Sequence, residues 1–446
     1  MKRSLILTLL IFVLSAAALC ASHSVINAQK DAITITETVL YGDRAAAEGI
    51  EVLSSTHNGF HLFWDTSYTF EDELKVHTDF LFSQVKNYGE YNPVFLPSLS
   101  VSDYFDYSIS GNNIILEDVY EQGVRRLPMK AVRDVAGRTP AGETLEEIIY
   151  LKDYYDYYPL FLDINFPRSV VTTPYNNLYD MTDYLKIPVS ETQSLRLSVT
   201  KDSTGNITQV RSHKESGRLF LSVLSVFTDS GYYFYINAFD ETGIVELPES
   251  VSGIHYIPFV KTEGSLMPSF EDIRLAYPLE NELLYLLKSP DGSRLMLFAN
   301  ENDSITLSII EAKTMSLLQK TVLFEDFEDL FLHRIEQYDH FFVAYLSDGR
   351  FRLLQEDENG SCEIKLRGNF YECSDIDENA FYNEMVMDYD GQRLAVVFYQ
   401  LRHSCGTYLM VYDKDGLAYA GKYDHSADRY CIDHGLQTNS LSVSCG

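Results

Sequence analysis

From about Arg218 to its end, the chain alternates short strand-forming runs with glycine-bearing turns, and no other feature limits its fold as strongly. The turn signals are Asp229-Ser230-Gly231, Asp240-Glu241-Thr242-Gly243, Pro290-Asp291-Gly292, Ser347-Asp348-Gly349, Glu358-Asn359-Gly360, Asp390-Gly391 and Asp415-Gly416. Glycine reaches positive φ without a Cβ clash and Asp or Asn tolerates it, so each signal has the chemistry of a tight hairpin. The intervening runs read as strands. Arg218 to Phe227 carries apolar residues on both faces, as a strand buried between two layers does. Tyr232 to Phe239 is aromatic and β-branched, which suits a pleated surface.

The unit recurs. A first turn falls near Ser230, Asp291, Asp348 and Asp390, and a second near Thr242, Asn302, Glu358 and Lys414. Blades of β-propellers run about 40 to 50 residues, so these units sit at or above the long end. No WD dipeptide or kelch-type double glycine marks each unit. The expected fold is all-β and β-propeller-like, with repeated antiparallel blades and minor helical insertions. A large antiparallel sandwich is the alternative.

Charge narrows the partners. The net charge is -30. Removing residues 1–28 would take away Lys2 and Arg3 and no acid, leaving the remainder more acidic still. That sign argues against nucleic acid, whose phosphates need Lys and Arg, and against adhesion to an anionic membrane. The chain holds 32 Tyr and 26 Phe against one Trp. Tyr buries its ring while keeping its hydroxyl wet, so it suits strands with one solvated face.

The chain opens on what reads as a targeting segment. Lys2-Arg3 is followed by an apolar core from Leu5 to Leu14, then Ser15 and Ala16 to Ala18. Ala16 with Ala18, or Ile26 with Ala28, offers a signal-peptidase site. Cys20 follows Leu19 and Ala17, a poor lipobox. The apolar run from Leu5 to Ala21 is also at the lower limit for a spanning helix. Residues 1–28 are therefore expected to be a signal peptide or an N-terminal membrane anchor. Residues 29–446 are expected to form a single extracytoplasmic domain that meets a membrane only through the N-terminal segment.

Past that segment, Ala32 to Leu40 reads as a strand, Gly42 to Glu48 as a helical turn capped by Asp43, and Gly49 to Ser54 as a second strand. The stretch Ile33 to Gly49, followed by Leu62-Phe-Trp-Asp-Thr66, resembles uncharacterised exported proteins of Firmicutes, including those of gut clostridia. The resemblance covers the chain up to about Phe70 and implies export. Further along, a hairpin is expected around Ser110 to Asn113. A short helix is expected after a Thr144-x-x-Glu147 capping box. Ser203-Thr-Gly-Asn206 reads as a hairpin turn.

Candidate binding residues lie in Asp153-Tyr-Tyr-Asp-Tyr-Tyr158. Tyr154, Tyr155, Tyr157 and Tyr158 could stack on the apolar face of a sugar ring, or pack as a half-buried edge. Of the cysteines, all but Cys20 crowd toward the C-terminus, from Cys362 onward. Cys362 and Cys373 flank a candidate hairpin, Glu363 to Glu372, and are the candidate disulfide permitted by export. Cys405 with Cys431, or Cys431 with Cys445, are other options. His403, Cys405, His425, Cys431 and His434 are zinc-compatible types without the paired Cys-x-x-Cys signal, and disulfides with surface histidines are the preferred reading. Asp375-x-Asp377-x-Asn379 opens like a calcium loop but has Ala380 where the turn needs Gly. No metal or cofactor is expected.

The chain has no Gly-x-Ser-x-Gly elbow, no His-Glu-x-x-His, no phosphate-binding loop and no dinucleotide glycine pattern. The expectation is a non-catalytic exported module binding a surface protein or glycan ligand. The alternative is an extracellular carbohydrate-active enzyme using carboxylates in a propeller channel.

Overall fold

The computed structural model describes residues 2–30, 34–58, 62–82, 98–102, 105–116, 127–165, 178–217, 219–240, 243–245, 247–262, 265–326, 330–357, 360–374, 376, 385–400, 406–426 and 436–445. Two compact units divide the chain: Met1–Tyr91 with Asp329–Gly446, and Asn92–Glu328. The fold is all-β and β-propeller-like. Among the described residues, antiparallel sheets of three to six strands, four-stranded more often than not, follow one another along the chain, with tight turns within them and short helices between.

In the first unit, Leu332–Gln337, Phe341–Leu346, Arg350–Glu356 and Cys362–Asn369 form one sheet in chain order. Met385–Tyr389, Leu394–Gln400, Gly406–Asp413 and Gly416–His425 form the next, and Ile35–Gly42 pairs onto it as a fifth strand. Glu51–Asn58, Leu62–Phe70 and Leu74–Phe82 form a third, completed by Leu436–Ser444 against Glu51–Asn58. An early strand thus finishes a late sheet, and a late strand finishes an early one.

Alternation along the middle strands explains the stacking. Leu394, Val396, Phe398, Tyr408, Met410 and Tyr412 share a core with Phe341, Val343 and Phe351. Their neighbours Ala395, Val397, Leu409 and Val411 point the other way, onto Val52, Tyr68 and Phe70. Successive side chains of a strand leave on opposite faces, so an unbroken apolar run is what a sheet covered on both sides requires.

The second unit repeats the device. Tyr232, Phe234, Ile236 and Ala238 face one core, while Tyr233 and Tyr235 face another with Leu295 and Leu297 of the following sheet, Leu283–Lys288 to Leu317–Glu325. The strand Phe220–Thr228 contacts both cores, as its two-faced pattern predicts, but it is an edge strand and Phe220 is exposed. The tyrosines depart from expectation. Tyr158, Tyr232, Tyr408, Tyr412, Tyr419 and Tyr423 are among the largest fully buried side chains. Several buried or partly buried hydroxyls reach backbone carbonyls: Tyr233 donates to the Ala312 oxygen at 2.7 Å, Tyr256 to Ser230 at 2.7 Å and Tyr412 to Asn369 at 3.0 Å. A buried hydroxyl with a carbonyl partner escapes the desolvation penalty that favours a wet one.

The described turn signals fall between antiparallel neighbours, and Asn302 and Asp303 both take left-handed backbone (φ 49° and 59°) between paired strands. Their phase differs from the repeat read in the sequence. Asp291 and Asn302 follow the first and second strands of their sheet, Asp348 the second, and Asp390 and Lys414 the first and third. Thr242, Glu358 and Asn359 lie outside the described residues. Any tight hairpin takes the same residues, so a turn does not reveal which strands it joins. The sheets themselves open at Leu283, Leu332 and Met385, a more even spacing than that of the first turns.

The helical turn at Arg44–Ala47 is present, and Asp43 caps it by accepting from the Ala45 N–H at 3.0 Å. The helix expected after Thr144 is absent. Thr144–Tyr150 is a strand paired with Ser194–Lys201, and the helix lies earlier, at Met129–Arg138. Thr139 precedes Pro140, whose ring disfavours helical backbone before it and ends the helix there. Ser194–Lys201 and Ile207–Ser216 flank the Ser203 to Asn206 turn as expected, whereas Tyr107–Ser110 pairs with Ile207–Ser216 and makes no local hairpin at Ser110 to Asn113.

Gly42 shows how closely the early strand lies on the late sheet. Its φ is +70°, and a Cβ would fall 1.9 Å from the Ala418 carbonyl oxygen. Gly49, in the same unit, has φ +83° and nothing within 4 Å of a Cβ. Gly49→Ala is expected to cost only the left-handed penalty, about 1–2 kcal/mol. Gly42→Ala should cost more, because backbone must also move. Urea unfolding of both variants checks the order, and equal losses would mean the strand does not pair there.

Candidate functional site

Within the second unit, helix Met129–Arg138 buries Met129, Val132, Val135 and Ala136. The i, i+3, i+6, i+7 spacing leaves Lys130, Arg133, Asp134 and Arg138 on the other face. After the strand Thr144–Tyr150, the short turn Leu151–Asp153 leads into the tyrosine cluster. A second short helix, Thr182–Leu185, begins beyond the strand Leu178–Asp180.

These elements surround a cleft of about 440 Å³, whose lining includes Phe105, Lys130, Arg133, Tyr155, Asp180 and Asp183. Tyr155 is fixed to the start of the helix: its hydroxyl accepts from the Lys130 N–H at 3.0 Å. The Lys130 ammonium stands 4.8 Å from the Tyr155 ring centre and donates to the Tyr154 carbonyl at 3.3 Å. Across the cleft, Asp180 accepts from the Thr182 N–H at 3.0 Å and so caps the Thr182–Leu185 turn. Thr182 in turn accepts from the Leu160 N–H at 3.3 Å.

The structure separates the tyrosines that the sequence groups. Tyr155 lines the cleft. Tyr158 is core, with its hydroxyl accepting from the Ser190 N–H at 3.2 Å. Tyr157 is exposed and bridges by backbone to Pro188. Tyr154 donates to the Asp134 carboxylate at 2.9 Å, and Asp134 also pairs with Arg138 at 2.8 Å. Those two hydrogen bonds, that from Tyr154 first, hold the Asp134 carboxyl below the usual range.

Behind the Thr182–Leu185 turn lies a pair that sequence reasoning missed. The Tyr184 hydroxyl is 2.8 Å from His255 Nδ1, and the His255 ring stacks on Phe234 with centroids 4.9 Å apart. His255 has no exposed surface, and burial pushes its pKa down to about 4. Burial also pushes the Tyr184 phenol up to about 12. Ile254, His255 and Tyr256 read only as part of a strand, so no local signal marks the histidine.

Cys362 begins the strand Cys362–Asn369, and Cys373 follows the turn Phe370–Glu372; both are buried. They therefore lie toward opposite ends of one strand, not across a hairpin. A strand of this length spans about 26 Å, against about 5.5–6 Å between the α-carbons of a disulfide, and the two are not bridged. Cys445 is buried beside Asp388, whose carbonyl its thiol meets at 3.4 Å, and burial pushes that thiol up to about 12. His403, Cys405, Cys431 and His434, the side chain of His425, and Asp375, Asp377 and Asn379 lie outside the described residues. Among the described residues no His, Cys, Asp and Glu group fits a metal ion.

No protein-family model matches the chain, and no curated protein matches it. Solved structures are similar at low score. Apo AztD from Citrobacter koseri is 7% identical with a TM-score of 0.27, covering 89% of this chain and 98% of its own. A functionally unknown protein from Desulfotomaculum acetoxidans is 8% identical with a TM-score of 0.25, covering 83% and 94%. The β-propeller domain of Cps50 (Swd1) from Myceliophteria thermophila is 10% identical with a TM-score of 0.22, covering 51% and 81%. Scores this low carry no argument about function.

The buried histidine predicts a pH dependence. The unfolded chain takes up a proton near the ordinary value of 6.5, the folded chain only near 4. Stability from this group is thus complete above about pH 6.5 and falls as pH drops toward 4, by on the order of 3 kcal/mol in all. His333, lowered by burial as well, adds to the loss in the same direction, while Asp202 and Asp291, each held at about 2 by hydrogen bonds, act below pH 3.8. Urea unfolding at pH 7, 5.5 and 4.5 should show the loss in the native protein and a flatter profile in His255→Gln.

Proposed function

We propose that residues 29–446 form a non-catalytic extracytoplasmic binding module at the bacterial surface, and that the cleft beside Tyr155 is its ligand site. The supporting observation is the cleft's construction. A tyrosine held by the first turn of a helix lines it together with charged groups from two separate elements. Small-molecule sites pair apolar or aromatic walls with a few convergent polar groups. Export rests on the N-terminal helix Lys2–Lys30, in which Thr8–Val25 has a mean hydropathy of 1.9 and none of it buried. That helix is long and apolar enough to cross a membrane, and serves equally as a signal peptide or an anchor.

The enzyme reading would need a carboxylic acid held protonated near neutral pH. Among the described residues, the carboxylates whose pKa is shifted are Asp134, Asp202, Glu215, Asp291 and Asp390, and each is shifted down by hydrogen bonds or an arginine. None of them favours that second reading.

A glycan-array screen of the full chain in mild detergent, beside a hydrolysis assay on the same polysaccharides, tests the proposal. No turnover is expected, and turnover would overturn the non-catalytic reading. Tyr155→Ala should weaken binding by roughly 0.5–1.5 kcal/mol, the usual worth of an aromatic contact. Unchanged affinity in that variant would remove the cleft from the function.

A further inference from the structure

Lys130, Asp180 and Asp183 line the Tyr155 cleft without pairing with one another. Lys130 donates to a carbonyl and faces an aromatic ring, and among the described residues no carboxylate lies within ion-pair distance of it. Asp180 accepts from a backbone N–H, and neither it nor Asp183 pairs with a lysine or arginine among the described residues. Yet all three line one cleft, with the cation on Met129–Arg138 and the acids at Leu178–Asp180 and Thr182–Leu185. Helices and strand ends hold these groups in place more rigidly than loops would.

Opposite charges that line a shared concavity without meeting leave a gap that one molecule of matching polarity can bridge. A simple anion would meet Lys130 but be repelled by Asp180 and Asp183. A simple cation would meet the reverse. A neutral sugar would leave both sides unmatched, and one face of Tyr155 is already occupied by the Lys130 ammonium. Resting on the reading of this cleft as the ligand site, we propose that its ligand is a small zwitterion bearing a carboxylate and an ammonium, as a free amino acid or short peptide does. Lys130 receives the carboxylate, Asp180 and Asp183 receive the ammonium, and Tyr155 covers the apolar part between them.

The test is calorimetric titration of the full chain in mild detergent with the twenty common amino acids and glycylglycine, each also as its N-acetyl and carboxamide form. Free forms are expected to bind, with affinity lower by about tenfold or more when either end is blocked, since each block removes one charge-assisted contact. Lys130→Met should abolish the discrimination against carboxamides while keeping that against N-acetyl forms. Asp183→Asn, with Asp180 left to cap its turn, should weaken the discrimination against N-acetyl forms alone. A melting temperature within a few degrees of the native value shows that each variant has folded. Equal binding of free and blocked forms would overturn the proposal, as would absence of binding by every member of the panel. If neutral glycans bind in a Tyr155-dependent way while the panel does not, the cleft remains a ligand site and only the zwitterion assignment fails.

Discussion

Strands covered on both faces set the terms for everything else in this protein. In Leu394–Gln400 and Gly406–Asp413, odd and even residues belong to different cores. The same holds for Gly231–Asp240. A sheet of this kind cannot end a fold, because each of its faces needs another apolar face against it. Stacked four-stranded sheets are one answer to that demand, and turns, helices and clefts occupy the spaces left at their ends. The buried tyrosines follow from the same condition, since large aromatic rings fill the space between sheets, and some of their hydroxyls find partners there, as Tyr412 does at the Asn369 carbonyl and Tyr419 at Tyr423.

Much of this was legible in the sequence. Turn residues are read locally, because glycine and asparagine answer to φ alone, and so the hairpins around Ser230, Asp291, Asp348 and Asp415 stand where the sequence puts them. Strand character in Phe220–Thr228 and Gly231–Asp240 was legible for the same reason. What was not legible was long-range partnership. The pairing of Ile35–Gly42 with Gly416–His425 leaves no mark on either segment except Gly42, whose meaning appears only when the Ala418 carbonyl is seen beside it. The Thr144 capping box misled because its residues serve other bonds: the Thr144 hydroxyl meets that of Thr200 at 2.9 Å, and Glu147 binds Arg138. Propensity within a short window yields to such tertiary partners.

The cleft was half legible. A run of tyrosines drew attention to a segment that reaches the cleft, but a chain that leaves a turn sends successive side chains in different directions. Tyr158 therefore enters the core while Tyr155 reaches the cleft. Lys130 and Asp183 are ordinary surface residues in the sequence, and only the fold brings two such distant positions to the walls of one small cleft. The His255–Tyr184 pair was illegible for a related reason. A histidine within an apolar strand reads as core, and its partner lies in a different element far back along the chain.

The exchange of strands between early and late sheets also orders events in time. Residues 92–328 form a contiguous segment whose described strands pair only with one another. They can fold while later residues are still being made. The first unit cannot. Glu51–Asn58 waits for Leu436–Ser444, and Ile35–Gly42 waits for Gly416–His425, so each presents an open ladder of N–H and C=O groups until those last strands have been made. Unpaired strand edges are templates for association with other chains. Vectorial synthesis therefore leaves the early strands as this protein's longest-lived hazard, and a holding chaperone at the point of emergence would act on residues 35–58 before any other part of the chain.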